Sequence, residues 1–173
     1  MTAGARRGAT LATVAAVVIA ADQATKHWAV NALDRGRVID VLWTLRFKLH
    51  FNSGLAFSLG SGRGGLIALV GLVVLAVLVR SVLAWPGRLA PIAAGVVVGG
   101  ALGNIVDRAF RAGSGALGGS VIDFIDVQWW PVFNVADMAV TIGALLLIVS
   151  SFLQPEPDAA TQAPTVAIAG REE

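Results

Sequence analysis

The stretch LAPIAAGVVVGGALGNIV, residues 89–106, runs for eighteen residues with no charged side chain and a single amide, Asn104. At a rise of about 1.5 Å per residue, a helix of this length nearly crosses the ~30 Å hydrocarbon core of a bilayer. Upstream, the turn Pro86-Gly87-Arg88 joins it to a second apolar run, Gly64 to Trp85, whose Arg80 lies near the end where a long cation can reach the head groups. Downstream, Val132 to Phe152 is a third such run, with Asn134 and Asp137 in its first turns. At the start, Arg6 and Arg7 precede the apolar residues 9–21, and the pattern continues through Asp22, Gln23, Thr25 and Lys26 to Val30. The uninterrupted part of that first run is short enough to suit a cleaved signal peptide. Three further apolar runs follow it, however, and no A-x-A site closes it, which favours a span.

The expected fold is therefore an all-α integral membrane four-helix bundle, with spans at about 9–30, 64–85, 89–106 and 132–152. The composition agrees: 56% of the 173 residues are hydrophobic and 14% charged, and a chain this short has too little interior to bury four such helices in water. Residues 1–153 read as a single transmembrane domain. The tail from Gln154 to Glu173, with three prolines, mixed charge and little periodicity, reads as disordered.

Between the spans, Trp43, Leu45, Phe47, Leu49 and Phe51 alternate with Thr44, Arg46, Lys48 and His50, the period of a half-buried strand with one apolar and one cationic face. Val121 to Val127 is a second short strand, reached through the glycine-rich residues 113–119. Such strands form either a pair of interfacial loops or a small sheet at head-group level, because an open sheet edge cannot lie in hydrocarbon.

Four spans place the loops 31–63 and 107–131 on one side of the membrane, and the turn at Pro86 with both termini on the other. Asp22, Lys26, Asn52, Asn104, Asp107, Arg108, Asp123, Asn134 and Asp137 then all gather at the first of these sides. Charge counting does not orient the chain: Arg6, Arg7, Arg80 and Arg88 favour cytoplasmic termini, but Arg35, Arg37, Arg46, Lys48 and Arg63 lie in the opposite loop. Gly95, Gly99 and Gly103, four residues apart, form a small-residue face along which another helix can approach closely. That face would turn Asn104, Asp107 and Arg108 inward.

Several chemistries lack their residues. The absence of cysteine removes thiolate nucleophiles, disulfides and cysteine metal sites. His27 and His50 do not form an H-E-x-x-H helix, and the sequence has no G-x-S-x-G elbow, P-loop or G-x-G-x-x-G fingerprint. A net charge of +2 without a basic stripe suits anionic lipid better than nucleic acid. Asp123 and Asp137 remain as the pair to consider. A carboxylate inside an apolar helix is costly and usually functional or paired. Two carboxyls in a poorly hydrated site tend to share one proton, so one can take a proton from water while the other polarises a carbonyl. The alternatives left open by spacing are helix caps or ion-pair partners, in a peptidase, a membrane scaffold or a transporter subunit.

Five motifs in order carry a resemblance: Asp22-Gln-Ala-Thr-Lys26, Asn52-Ser-Gly54-Leu-Ala56-Phe57-Ser58, Gly99-Gly-Ala-Leu-Gly-Asn104-Ile-Val-Asp107-Arg108, Val121-Ile-Asp123-Phe124 and Phe133-Asn134-Val-Ala136-Asp137. From residue 22 to about 140 the chain resembles the bacterial lipoprotein signal peptidases, or signal peptidase II. The resemblance implies a plasma-membrane aspartic endopeptidase that removes the signal peptide from a prolipoprotein immediately before a diacylglyceryl-modified cysteine. It implies Asp123 and Asp137 as catalytic residues. Asp22, Lys26, Asn52, Gly54, Asn104, Asp107, Arg108, Asn134 and Ala136 match supporting positions. It also implies a small extracytoplasmic sheet after the first span, cytoplasmic termini, a site near the outer face, and no metal or organic cofactor. The expected partners are the modified prolipoprotein and membrane phospholipids, with no nucleic acid, for a monomeric enzyme. Two departures bear on substrate fit: the unusual Leu45-Arg-Phe-Lys-Leu-His-Phe51 approach to Asn52, and the glycines that lengthen the link to Asp123.

Overall fold

A computed structural model describes residues 2–53, 64–84, 87–111 and 117–153. The expectations for Gly54 and for the tail fall outside these residues. In chain order the elements are α1 (Ala3–Ala32), a single 3-10 turn, β1 (Val38–Leu42), β2 (Leu45–Asn52), α2 (Gly64–Ala84), α3 (Leu89–Phe110), β3 (Val121–Asp126) and α4 (Val135–Phe152). By length and composition α1, α3 and α4 can each cross a membrane, and in α2 the stretch Leu69–Leu83 is apolar but shorter. Val70, Val73, Val74, Val77, Leu145, Ile148 and Val149 are exposed along the helices. An apolar belt of that extent belongs in lipid, not in water.

Helix α3 is central, and glycines set how closely its neighbours approach. A Cβ on Gly95 would meet the Leu11 carbonyl and Val14, and one on Gly99 would meet Val18 and the Ala15 carbonyl, so the expected small-residue face packs against α1. On the α4 side, Gly100 lies against the Ala136 carbonyl and Gly143 against Val97. The backbones thus come near enough for short polar side chains to bridge them.

The element ends differ from the sequence expectation in ways that matter to the site. Helix α3 continues to Phe110 instead of stopping at 106, because Asp107 and Arg108 are buried and partnered inside the bundle. Helix α4 begins at Val135, not at 132. Residue Phe133 is extended and exchanges backbone hydrogen bonds with Ile125, and Asn134 caps the helix. Helix α1 starts earlier than expected, at Ala3, with the Thr2 hydroxyl accepting from the Ala5 amide.

The strand expected at Trp43–Phe51 is half of a hairpin. Trp43 has φ 50°, which no strand residue adopts, so it forms the turn, and β1 precedes it. The three strands form an antiparallel sheet in the order β1-β2-β3. Its inner face, Ile39, Phe47, Leu49, Ile122 and Phe124, packs on Ala29 and Leu33 at the end of α1. Trp28 meets Phe47 edge-on at 5.3 Å between ring centroids. Phe51 departs from the expected apolar face and is 55% exposed. The sheet therefore stands on one end of the helices, and Asp123 in β3 is carried to the polar end of α1, α3 and α4.

Candidate active site

The foundation is Lys26, which is completely buried. Asp22 and Lys26 share one face of α1, and the ammonium donates to Asp22 Oδ2 at 2.8 Å, to Asp107 Oδ2 at 2.9 Å and to Asn104 Oδ1 at 2.9 Å. An ammonium has three donors, and all three are used. Asp22 Oδ1 accepts the Ala136 amide at 3.0 Å, one of the N–H groups that the start of α4 leaves without a helical partner. Asp107 also accepts Arg111 Nε at 2.9 Å and the Ile122 amide at 3.1 Å, which ties the end of α3 to the strand that carries Asp123. Arg108 is buried, and its guanidinium donates to the Gly119 carbonyl at 3.4 Å, holding the segment before β3.

Above this ion cluster lie the two aspartates and three amides. Asp123 Oδ1 accepts Asn134 Nδ2 at 2.7 Å, and its Oδ2 accepts Asn52 Nδ2 at 3.0 Å. Asp137 Oδ1 accepts Asn104 Nδ2 at 2.9 Å, and its Oδ2 accepts the Asn134 amide at 3.1 Å. Each carboxyl oxygen thus holds one donor and keeps a lone pair for water or a proton. Asn134 is shared: its Oδ1 accepts the Asp137 amide at 2.9 Å, completing a reciprocal capping box, while its Nδ2 also reaches Asn104 Oδ1 at 3.1 Å. The cap and the aiming of both carboxyls are therefore one structure. Burial pushes the Asp123 carboxyl up to about 6, helped by the nearby charge of Asp137; the amides of Asn52 and Asn134 and the Lys26 charge pull it back.

Of the residues the sequence singled out, Asp22, Lys26, Asn52, Asn104, Asp107, Asn134, Ala136, Asp123 and Asp137 are linked in this network, and Arg108 adjoins it. Asp107 pairs with Lys26 and with Arg111, which the sequence did not single out. Gln23 was also missed; its Nε2 donates to the Gly103 carbonyl at 3.1 Å and to Asp107 Oδ1 at 3.4 Å. The signal for it was a lone amide beside Asp22 in an apolar helix. A groove of about 540 Å³ opens beside Asp137, walled by Val127, Trp129, Trp130 and Phe133 and by Met138, Thr141 and Ile142 of α4. It can take an apolar segment next to the Asp137 carboxyl.

Helices fit to cross a membrane, a buried acid–amide centre at one end of them and an apolar groove beside it define a membrane enzyme. Residues 14–153 match the family model described as signal peptidase (SPase) II. A lipoprotein signal peptidase of Rhodococcus jostii (strain RHA1) is 42% identical over 146 residues, covering 84% of this chain and 73% of that one. One of Mycobacterium avium (strain 104) is 43% identical over 152 residues, covering 84% and 80%. A solved structure described as a bacterial membrane enzyme at 2.3 Å resolution aligns with TM-score 0.72 and 27% identity over 90% of this chain and 93% of that one. A second, at 1.9 Å, aligns with TM-score 0.69 and 29% identity over 83% and 92%. The chain belongs to the signal peptidase II family.

Proposed function

We propose that this protein is an aspartic endopeptidase that removes the signal peptide from diacylglyceryl-modified prolipoproteins, cutting immediately before the lipidated cysteine, with Asp123 and Asp137 as the catalytic pair. The observation that carries this reading is that both aspartates are held by one residue, Asn134. Two carboxyls so placed, one in a site that favours its neutral form, suit the sharing of a single proton. The ionised member takes a proton from a water lodged between them, and the protonated member donates to the scissile carbonyl oxygen. The water oxygen bonds to the carbonyl carbon, and proton return to the nitrogen lets the C–N bond break. Asn52 and Asn104 keep the two carboxyls in place throughout, and the buried Lys26 cluster fixes the helix ends that carry them.

In this reading residues 1–153 form one domain of four spans, α2 included, with the sheet at the outer membrane surface and both termini cytoplasmic. The signal helix approaches laterally from lipid and lies in the apolar groove beside Asp137. A transporter or scaffold would instead spread its buried charged groups through the membrane depth, and among the described residues these are concentrated at one end of the helices. The test is a processing assay on purified full chain in lipid, with a precursor supplied with and without the diacylglyceryl group. Release of the signal peptide from the modified precursor, undiminished by a metal chelator, is expected. Equal cleavage of the unmodified precursor, or loss of activity on chelation, would overturn the reading.

A further inference from the structure

A second polar cluster lies at the opposite end of the sheet from Asn52. Arg46 Nε and Nη2 each donate to Asp126 Oδ2 at 2.8 Å, and Asp126 Oδ1 accepts the Gln128 amide at 2.7 Å. Gln128 Nε2 in turn donates to the Thr44 carbonyl at 3.0 Å. The cluster thus joins the tip of the β1–β2 hairpin to the loop after β3. Trp43, beside Thr44, has φ 50°, and Gln128 itself has φ 70°. Non-glycine residues persist in the left-handed region where surrounding contacts over-determine them, and the Gln128–Thr44 bond joins Gln128 to the residue that follows Trp43.

What the cluster holds is aromatic. Trp43 is 94% exposed, Trp129 74% and Trp130 57%, and Val41 and Leu42 are exposed at the same tip. Trp129 and Trp130 follow Gln128 directly and form one wall of the groove beside Asp137. Where Gln128 stands therefore decides where that wall stands. None of the cluster's hydrogen bonds reaches Asp123 or Asp137.

We propose that Arg46, Asp126 and Gln128 are positioning residues for substrate binding, holding the hairpin tip and the two loop tryptophans as one aromatic rim on the groove that receives the apolar signal segment. The proposal rests on the peptidase reading above. The rim grips the apolar part of the substrate and leaves the chemistry at the dyad unaltered, so loosening it acts on KM.

The experiment compares wild type, Arg46→Glu, Asp126→Arg, the Arg46→Glu/Asp126→Arg exchange and Gln128→Ala, as full chains in lipid with the diacylglyceryl-modified precursor. Each single variant should raise KM by about fivefold or more with kcat within about twofold of wild type, and the charge exchange, which re-forms the ion pair but leaves the Gln128 amide without its acceptor, should restore KM in part. Lowered kcat at unchanged KM, or no rescue by the exchange, would overturn it. Where the charge variants fail to fold, Gln128→Ala decides alone: an unchanged KM overturns the proposal. Amide hydrogen exchange gives a readout free of turnover, with faster exchange expected at Gln128 in Asp126→Ala, which removes the acceptor of its amide. Unchanged exchange there would overturn the clamp. A wild type that fails to cleave would remove the peptidase reading, and this inference with it, while leaving the exchange result intact.

Discussion

Lys26 holds its three acceptors without access to water, and two of them are carboxylates. Replacing it with methionine keeps the length but leaves Asp22 and Asp107 buried without that cation. Lys26→Met should cost about 3–5 kcal/mol of stability, read as a fall in thermal midpoint in detergent. Asp123 supplies a pH signature. Its unfolded carboxyl titrates near 3.8 and its folded one at about 6, so the folded chain binds the extra proton and stability from this group falls as pH rises across that window. Asn52 favours the charged form, so Asn52→Ala should raise the Asp123 pKa further. The limb of the kcat/KM profile near pH 6 should then move to higher pH; a limb that stays in place, or moves down, would contradict the hydrogen bond's assigned role. At this scale the sequence was informative where polarity is rare. Asp22, Lys26 and Asp137 stand out because an apolar helix makes each costly. Arg46 and Asp126 do not, since a charged residue in a half-buried strand is ordinary until the fold pairs it across strands.

Among the elements, the α3–α4 contact places Asp137. Gly100 lies against the Ala136 carbonyl, within the first turn of α4. The nearest atom that a methyl there would meet is that backbone oxygen, so backbone must move. Gly100→Ala should cost about 1–3 kcal/mol and lower kcat, by shifting the turn that aims Asp137. Gly8→Ala, inside α1 where a Cβ would meet nothing within 4 Å, should leave kcat unchanged and raise stability by up to about 1 kcal/mol. The helices were legible because long apolar runs have few other uses, and the Gly95, Gly99 and Gly103 spacing anticipated a close helix contact without saying that α1 makes it. Their ends were not, because a polar residue at the end of an apolar run reads as a boundary; Asp107 and Arg108 instead continue α3 through partners supplied by α1, β3 and the segment before it. Strand β1 escaped notice because Val38-Ile39 and Val41-Leu42 put apolar residues side by side, which breaks the alternation that marks a half-buried strand. The same alternation in β2 was visible, but it could not reveal that Trp43 turns the chain back.

Across the whole molecule, one arrangement explains both the membrane-compatible exterior and the polar centre. Close glycine-mediated packing lets α1, α3 and α4 meet, so that side chains from three helices and a sheet reach one place. The ion cluster of Lys26, Asp22, Asp107 and Arg111 then fixes the helix ends, and the amides above it set the two aspartates. The gathering of polar groups at one end was legible from the order of the apolar runs and the loops between them. That Asn134 serves both aspartates was not, because it depends on the extended Phe133 pairing with Ile125 and on α4 starting at Val135. The central claim is that Asp123 and Asp137 act together on water. Its most direct measurement is signal-peptide release from the diacylglyceryl-modified precursor by Asp123→Asn and by Asp137→Asn, each verified as folded by its thermal melt. Release should be abolished in both folded variants; cleavage retained in either would contradict the dyad.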